Sequence, residues 1–307
     1  MPLSKTPASE APASEIHPPT AGVALDQIEV FAEGLDHPEG IVALGELLYV
    51  SGEEGQIYEV NAHGDFRQVG DTGGGLVLGL AADAAGLLYV CDAAHGRLLR
   101  LDPADGSIET LADAIAGRPM VNPNWAAFGP DGSLYLTDSG TWGARNGVIA
   151  VLRSTGKAEM WSSEVPGFTN GIAVAADGRT VFGVESNPGR LFAIPVREDG
   201  TAGTPAELCY MGPAFAPDGV AVCTDGSLVI GCYRPDAIYR WSAEQGLHVL
   251  AADPQGIVLA APANIAFTGP GGRTLVATNH AYRHLARADF GLSGLPLFRP
   301  SFGVAQR

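Results

Sequence analysis

Six short segments of similar composition recur along the chain at nearly constant spacing. Successive segments start 39, 46, 46, 48 and 46 residues apart, and their first residues are Glu39, Leu78, Asn124, Asn170, Asp218 and Asn264. Each segment is a run of small and apolar residues, such as EGIVA, NGIAV or DGVAV, and turn dipeptides such as Asp131-Gly132 and Asp177-Gly178 follow. A period of this length is typical of β-sheets repeated around an axis. The sequence therefore predicts an all-β fold, a six-bladed β-propeller.

The two ends of the chain are expected to meet in the last blade. Blade six starts at Asn264 and lacks a clear fourth strand, whereas residues 28–31 (IEVF) have strand character and no hairpin partner nearby. Their pairing would remove an exposed sheet edge. We therefore expect a disordered Pro-, Ala-, Ser- and Glu-rich leader over residues 1–25 and one propeller domain over residues 26–307. The tail after Leu292 is expected to wrap over a blade edge.

The composition excludes several classes of function. The formal net charge is −16, from 34 acidic and 18 basic residues, so the surface repels nucleic acid and anionic lipid. No run approaches the roughly 18 apolar residues of a membrane span, and the first residues lack the apolar core of a secretory signal. We expect a cytoplasmic protein. The four cysteines show no metal-binding spacing and are expected to be reduced core thiols.

The first residues of the six segments predict a metal site. The first strand of each propeller blade lines the axis, so these residues should ring one mouth of the channel. Five of the six carry a side-chain oxygen, and only Leu78 does not. Asn or Asp before Gly commonly does no more than cap a turn. Recurrence in five blades, with Glu39 and Asp218 as two carboxylates that would repel each other, instead favours a hard divalent cation bound on the axis.

The same segments carry a family resemblance. HPEGIVAL around Glu39, NPNWAAFGPDGSLYLTDSG around Asn124, FTNGIAVAADGRTVFGVES around Asn170 and PDGVAVCTDGSLVIG around Asp218 resemble the gluconolactonase / senescence marker protein / luciferin-regenerating enzyme-like family. The resemblance covers roughly residues 30 to 300 and implies a lactone hydrolase with one divalent cation. That cation is most often Ca²⁺, with Zn²⁺, Mn²⁺ and Mg²⁺ as alternatives.

The resemblance also assigns roles within the ring. It implies Glu39, Asn170 and Asp218 as metal ligands, and Asn124 as a ligand or as the holder of water or substrate. Asn264 is similar to an extra amide ligand of paraoxonase-type propellers. Asn124 and Asp218 are the implied catalytic residues: the cation would polarise the lactone carbonyl, and Asp218 would act as general base or as nucleophile.

Residues of the loops around the mouth are candidates for substrate binding. Sugar-lactone members of the family tend to have Arg where this chain has Asn122, and Asp where it has Trp125, which favours a more apolar lactone or ester. The candidate substrate-binding residues are Asn122, Trp125, Trp142, Phe168, Tyr233 and His280. Aromatic side chains in such loops also simply pack between blades, and single loop histidines are more often surface residues.

The sequence is compatible with three other functions. A phosphotriesterase-like metal hydrolase would use the same ring of residues. A non-catalytic propeller that serves as a binding scaffold would not need a polar ring in the channel. A strictosidine-synthase-like enzyme shares the architecture but depends on a catalytic Glu rather than a cation. The expected partner is a small-molecule lactone or ester, with the protein as a monomer or homodimer.

Overall fold

The computed structural model describes residues 16–17, 22–153 and 156–302, and most of the expected leader lies outside these ranges. The described residues form six sheets, each with at least four strands, arranged as a six-bladed propeller. Neighbouring strands within each four-stranded blade are antiparallel, and each innermost strand packs against that of the next blade, including the last against the first. The predicted fold class is confirmed.

The strands of the blades are given from the axis outward. Blade one contains Ile41–Leu44, Leu47–Ser51, Gln56–Val60 and Phe66–Asp71, and blade two contains Val77–Ala82, Leu88–Asp92, Arg97–Leu101 and Ile108–Ala112. Blade three contains Pro123–Phe128, Leu134–Asp138, Val148–Leu152 and Ala158–Ser162, and blade four contains Thr169–Val174, Thr180–Ser186, Gly189–Pro195 and Ala206–Gly212. Blade five contains Ala216–Val222, Leu228–Arg234, Ala237–Ser242 and Gly246–Ala252, and blade six contains Ile265–Thr268, Thr274–Thr278, Leu285–Asp289 and Glu29–Phe31.

Short additional elements extend two blades. Blade three continues outward with Ala114–Ile115 and Arg118–Pro119. Blade five gains Ile16–His17, which pairs in parallel with its outer strand and belongs to the segment expected to be a leader. In the described part of the chain, two 3₁₀ helices cover Leu25–Gln27 and Pro270–Gly272. Within the described residues, no helix has the length and apolar character needed to cross a membrane.

The ring is closed by the N-terminal strand, as the sequence predicts. Glu29–Phe31 pairs antiparallel with Leu285–Asp289 and supplies the missing fourth strand of blade six. The guanidinium of Arg287 donates to both carboxylate oxygens of Glu29, at 2.8 and 2.7 Å, and lies 4.2 Å from the centre of the Phe31 ring. Hydrogen bonds, an ion pair and a cation–π contact thus join the two ends of the propeller.

The C-terminal tail takes a course that the sequence does not predict. Instead of following a blade edge, residues 295–299 line the central channel at the end opposite the six segment starts. The tail enters beside blade five, where Leu295 N donates to the Val222 carbonyl at 2.8 Å. At the last described position, Phe302 packs against Tyr89 and Phe128. Because its sequence has no counterpart in the repeat, nothing in the periodicity indicates this path.

Candidate metal centre

The six innermost strands are irregular at the segment starts. In blades two to five the pairing register with the second strand shifts around Leu78, Asn124, Asn170 and Asp218, which marks a β-bulge. In blades one and six the regular strand begins just after Glu39 and Asn264. A bulge breaks the alternation of a strand and re-aims a side chain. These six positions are therefore released from ordinary sheet packing.

Glycines allow neighbouring innermost strands to approach closely beside these positions. A Cβ atom at Gly171 would lie 2.5 Å from the Asp218 carbonyl oxygen, and one at Gly219 would lie 2.2 Å from Asn264 Oδ1. Real Cβ atoms do not come this close to other atoms, so only glycine fits. The glycines that follow Asn170 and Asp218 thus bring three ring residues, Asn170, Asp218 and Asn264, together at one end of the channel.

Five buried side chains in this ring share one property. Each has an oxygen that is inaccessible to solvent and makes no hydrogen bond: Glu39 Oε2, Asn124 Oδ1, Asn170 Oδ1, Asp218 Oδ1 and Asn264 Oδ1. All five residues are at most 8% exposed. A buried polar atom without a partner costs free energy, and native proteins rarely keep one without a reason. Five such oxygens in equivalent positions of five blades fit a bound cation that accepts their lone pairs.

The two carboxyl groups of the ring titrate abnormally. Burial, and to a lesser extent the nearby charge of Asp218, raises the pKa of Glu39 well above its usual range. The nearby Asn264 side chain lowers this pKa in part, although it forms no complete hydrogen bond with Glu39. Burial likewise raises the pKa of Asp218 to about 7, partly offset by Asn170. Two buried carboxylates can both be ionised only if positive charge compensates them.

The types of donor indicate the kind of cation. Among the described residues, no three His, Cys, Asp or Glu side chains come together. The ring instead offers two carboxylates and three amide oxygens. Oxygen-only ligation of this kind suits hard cations such as Ca²⁺ and Mg²⁺.

Hydroxyl groups at the ends of the second strands hold the ring in place, a role that the repeat pattern did not predict. Ser51, Ser186 and Thr278 donate to the backbone carbonyls of Leu78, Pro217 and Glu39 in the next blade, each at 2.7 Å. Ser186 Oγ also accepts a hydrogen bond from Asn170 Nδ2 at 3.1 Å, which leaves Asn170 Oδ1 free. The sequence signal for these contacts was a Ser or Thr that recurs at the end of the second strand of a blade.

The predicted substrate-binding residues fall into two pairs and two separate positions. Trp142, which is 57% exposed, lies edge-on to Phe168 with ring centres 4.9 Å apart. Tyr233 lies 6.0 Å from the ring of His280, whose Nδ1 is buried without a partner and whose pKa is lowered by burial. Trp142 and His280 lie in the loops that follow the second strands of blades three and six, Phe168 lies in the loop before blade four, and Tyr233 lies near the end of the second strand of blade five.

Asn122 and Trp125 stand apart from these pairs. Asn122 is half-buried just before blade three, and its backbone N–H donates to Asp138 Oδ1 at 2.8 Å. Trp125 is 7% exposed, belongs to a buried hydrophobic cluster that includes Ile149 and Ile172, and lines the channel beyond the ring.

Acidic residues at the ends of the second strands organise the loops. Asp138 accepts hydrogen bonds from the backbone N–H groups of Val121, Asn122 and Gly140. Asp92 accepts one from the His95 ring at 2.9 Å and one from Arg97 at 2.7 Å. These carboxylates are occupied by structural partners, in contrast to those of Glu39 and Asp218.

Comparison with known proteins places the chain in a family. Residues 37–281 match the family described as SMP-30/Gluconolactonase/LRE-like region, which is most of the chain. The chain belongs to this family. Its ring residues from Glu39 to Asn264 all lie within the matched part, so the SMP-30/gluconolactonase/LRE-like fold includes the whole candidate metal centre.

Two curated proteins are similar in sequence to this family member. The 6-deoxy-6-sulfogluconolactonase of Pseudomonas putida is 28% identical over 262 residues, covering 68% of this chain and 84% of that protein. The mouse adipocyte plasma membrane-associated protein is 28% identical over 158 residues, covering 46% of this chain. The match to the mouse protein spans only 37% of that protein's length.

Solved structures share the fold of this family member. A gluconolactonase from Xanthomonas campestris superimposes with a TM-score of 0.72 at 18% identity, covering 94% of this chain and 99% of that one. Regucalcin, a calcium-binding protein from Agrobacterium tumefaciens, superimposes with a TM-score of 0.67 at 16% identity, with the same coverage of 94% and 99%.

Proposed function

We propose that this protein is a divalent-metal-dependent hydrolase that opens a lactone ring. The observation that carries the proposal is the set of five buried oxygens without hydrogen-bond partners, on Glu39, Asn124, Asn170, Asp218 and Asn264. These residues would hold the cation, for which Ca²⁺ is the first choice. Family membership and the similarity to a sulfogluconolactonase support lactone hydrolysis.

The cation and the protein would contribute differently to the reaction. When bound, the cation would polarise the lactone carbonyl and stabilise the negative charge that develops on its oxygen. The protein encloses this position by burying all five side chains, which excludes competing water and strengthens electrostatic interactions. Ser186 positions Asn170 through its hydrogen bond to the amide nitrogen.

Asp218 is the proposed general base. Its unpartnered Oδ1 would bind the cation, and its other carboxylate oxygen would accept a proton from the attacking water. The water oxygen forms a bond to the carbonyl carbon, the ring C–O bond breaks, and the leaving alkoxide takes up a proton to give the hydroxy acid. Asn124 is proposed to hold the water or the carbonyl group during this step. In the alternative mechanism, Asp218 attacks the carbonyl carbon itself, the ring C–O bond breaks to leave an anhydride between Asp218 and the substrate, and water then hydrolyses this anhydride to the hydroxy acid and the free carboxylate.

The rim of the site favours an apolar lactone. The exposed Trp142 and the half-buried Phe168 form an aromatic pair in neighbouring loops, and Tyr233 packs beside His280. Aromatic surface of this kind binds hydrocarbon better than sugar hydroxyls when few polar groups accompany it. We therefore propose γ- or δ-lactones with apolar substituents as substrates, rather than an unmodified sugar lactone.

A phosphotriesterase-like activity is the second candidate. Asn264 favours it, because this fully buried residue adds a third amide to the ring and both of its side-chain polar atoms lack partners. The two candidates can be compared with one enzyme preparation. Alkyl-substituted lactones, gluconolactone, aryl esters and an aryl phosphotriester would be assayed with calcium and with excess chelator. Chelator-sensitive turnover that is fastest on alkyl lactones supports the proposal, and turnover that persists after metal removal contradicts it.

A further inference from the structure

The central channel contains a cavity beyond the metal ring. It has a volume of about 470 Å³ and is lined by the innermost strands, among them Ile41, Leu80, Ile172 and Val220. Residues 295–299 of the tail line its far end. The five ring residues are not part of its wall. Small-molecule sites in proteins span roughly 300–1,000 Å³, so this cavity is large enough for a ligand of its own.

Arg299 is the one charged residue in the cavity wall formed by the described residues. Its guanidinium donates to the Ala43 carbonyl, but its Nε is buried and has no partner. Across the described ranges, no carboxylate forms an ion pair with Arg299, and burial alone lowers its pKa. A half-buried guanidinium without a counter-charge is costly, whereas an anion bound in the cavity would pair with it.

The remaining wall determines what that anion can be. Apart from Arg299, the polar side chains that line the cavity are those of Thr224 and Thr268. An inorganic anion would leave most of this wall in contact with empty space or poorly bound water, because apolar cavities hold water badly. A molecule with one anionic end and an apolar body satisfies both the guanidinium and the wall.

We propose that the channel cavity binds an amphiphilic carboxylate, a medium-chain fatty acid or a molecule of similar chemistry. Its carboxylate pairs with the Arg299 guanidinium, and its hydrocarbon chain lies among the innermost strands. This site is separate from the metal ring and does not depend on the hydrolase activity. The proposal gives the tail a function, because the tail carries Arg299, the residue that would anchor the carboxylate, and covers the end of the channel.

Trp125 provides a direct readout, because its side chain lines the cavity. Full-length protein with excess chelator would be titrated with bromine-labelled decanoate, which quenches tryptophan fluorescence on contact, and separately with the matching bromodecanol. We expect saturable quenching by the carboxylate that is lost in Trp125→Phe. Binding of the alcohol is expected to be weaker by about tenfold or more, as for loss of a charge-assisted hydrogen bond.

Substitution of the anchor distinguishes this proposal from binding by hydrophobicity alone. Arg299→Gln should weaken decanoate binding by about tenfold or more and leave bromodecanol binding unchanged. Arg118→Gln, at an exposed arginine on the outer edge of blade three, serves as the matched control and should change neither. Circular dichroism and thermal unfolding would establish that each variant is folded.

A cavity-filling variant tests the site if Arg299→Gln does not fold. Ala221, half-buried in the innermost strand of blade five, lines the cavity, and Ala221→Leu should weaken the binding of both ligands. The proposal is overturned if decanoate binds no more tightly than the alcohol, if neither ligand quenches Trp125, or if the preference for carboxylate survives loss of the Arg299 charge.

Discussion

Ser186 and Asn170 are joined by a buried hydrogen bond in which Asn170 Nδ2 donates to Ser186 Oγ at 3.1 Å. The same Ser186 hydroxyl donates to the Pro217 carbonyl at 2.7 Å, one residue before Asp218. One side chain thus orients the amide of blade four and fixes the start of the innermost strand of blade five. Contacts of this kind, one step away from a metal, commonly change metal affinity by about ten- to a hundredfold.

Ser186→Ala should therefore weaken calcium binding by about tenfold or more, because the Asn170 amide loses the contact that directs Oδ1 into the ring. Calorimetric titration of the dialysed protein measures this effect. Ser139→Ala is the matched control, since Ser139 Oγ makes a similar bond between blades, to the Thr169 carbonyl, without touching a ring side chain. A loss of affinity that is equal in both variants would mean that Ser186 acts only through general stability.

The stability of the metal-free protein should depend on pH through Asp218. Burial raises its pKa from 3.8 to about 7 in the folded state, so the folded protein holds this proton more tightly than the unfolded chain does. This difference stabilises the folded state. The stabilisation is fully present below the pKa that Asp218 has in the unfolded chain, and it is lost as the pH rises through about 7. Glu39, whose pKa is also raised, adds to the effect in the same direction.

This dependence can be separated from other titrations by comparison with Asp218→Asn, which has no proton to exchange at this position. Thermal unfolding in chelator at about pH 5 and about pH 8 should show wild type losing stability relative to the variant as the pH rises. Added calcium should restore wild-type stability at the higher pH. A difference between wild type and variant that does not vary with pH would contradict the raised pKa.

Catalysis should depend strongly on the Asp218 carboxylate. Asp218→Asn keeps the size of the side chain and removes its basicity, so turnover of a reactive lactone should fall by about a hundredfold or more. Asp177→Asn, in an exposed turn where Asp177 accepts a backbone hydrogen bond from Arg179, is the control and should retain turnover. Single-turnover reaction in ¹⁸O-labelled water separates the two mechanisms, because the label enters the Asp218 carboxylate only if Asp218 is the nucleophile.

The aromatic pair at the rim should influence substrate choice more than reaction rate. Trp142→Ala removes exposed aromatic surface beside Phe168, so KM for alkyl-substituted lactones should rise about tenfold while KM for unsubstituted γ-butyrolactone stays nearly unchanged. Phe66→Ala, at an exposed aromatic residue on the outer strand of blade one, is the control. Equal changes for both substrates would exclude a specific contact between Trp142 and the substituent.

The repeat pattern was sufficient to predict the blades, the closure by Glu29–Phe31 and the position of the ring residues. Each of these follows from local features that recur, namely apolar alternation, turn glycines and a polar residue at one register. The same register marks Glu39 and Asn264 although they lie more than two hundred residues apart. The circular fold brings them together because blade six packs against blade one.

Features outside the repeat could not be predicted in this way. The location of Trp125 depends on a bulge beside Asn124 that shifts the register of the strand, and periodicity alone does not reveal a bulge. The tail with Arg299 has no equivalent in any blade, so its passage along the end of the channel depends on tertiary packing. The sequence likewise does not show that the ring oxygens lack hydrogen-bond donors, because this depends on the positions of all neighbouring groups in the folded protein.

Calcium titration of the dialysed wild-type protein tests the central claim most directly. The ring of unpartnered oxygens predicts one tightly bound ion per chain, with binding greatly weakened in Glu39→Gln and Asp218→Asn, each of which removes one of the two carboxylates. Absence of calcium binding, or equal binding by wild type and both variants, would contradict the account.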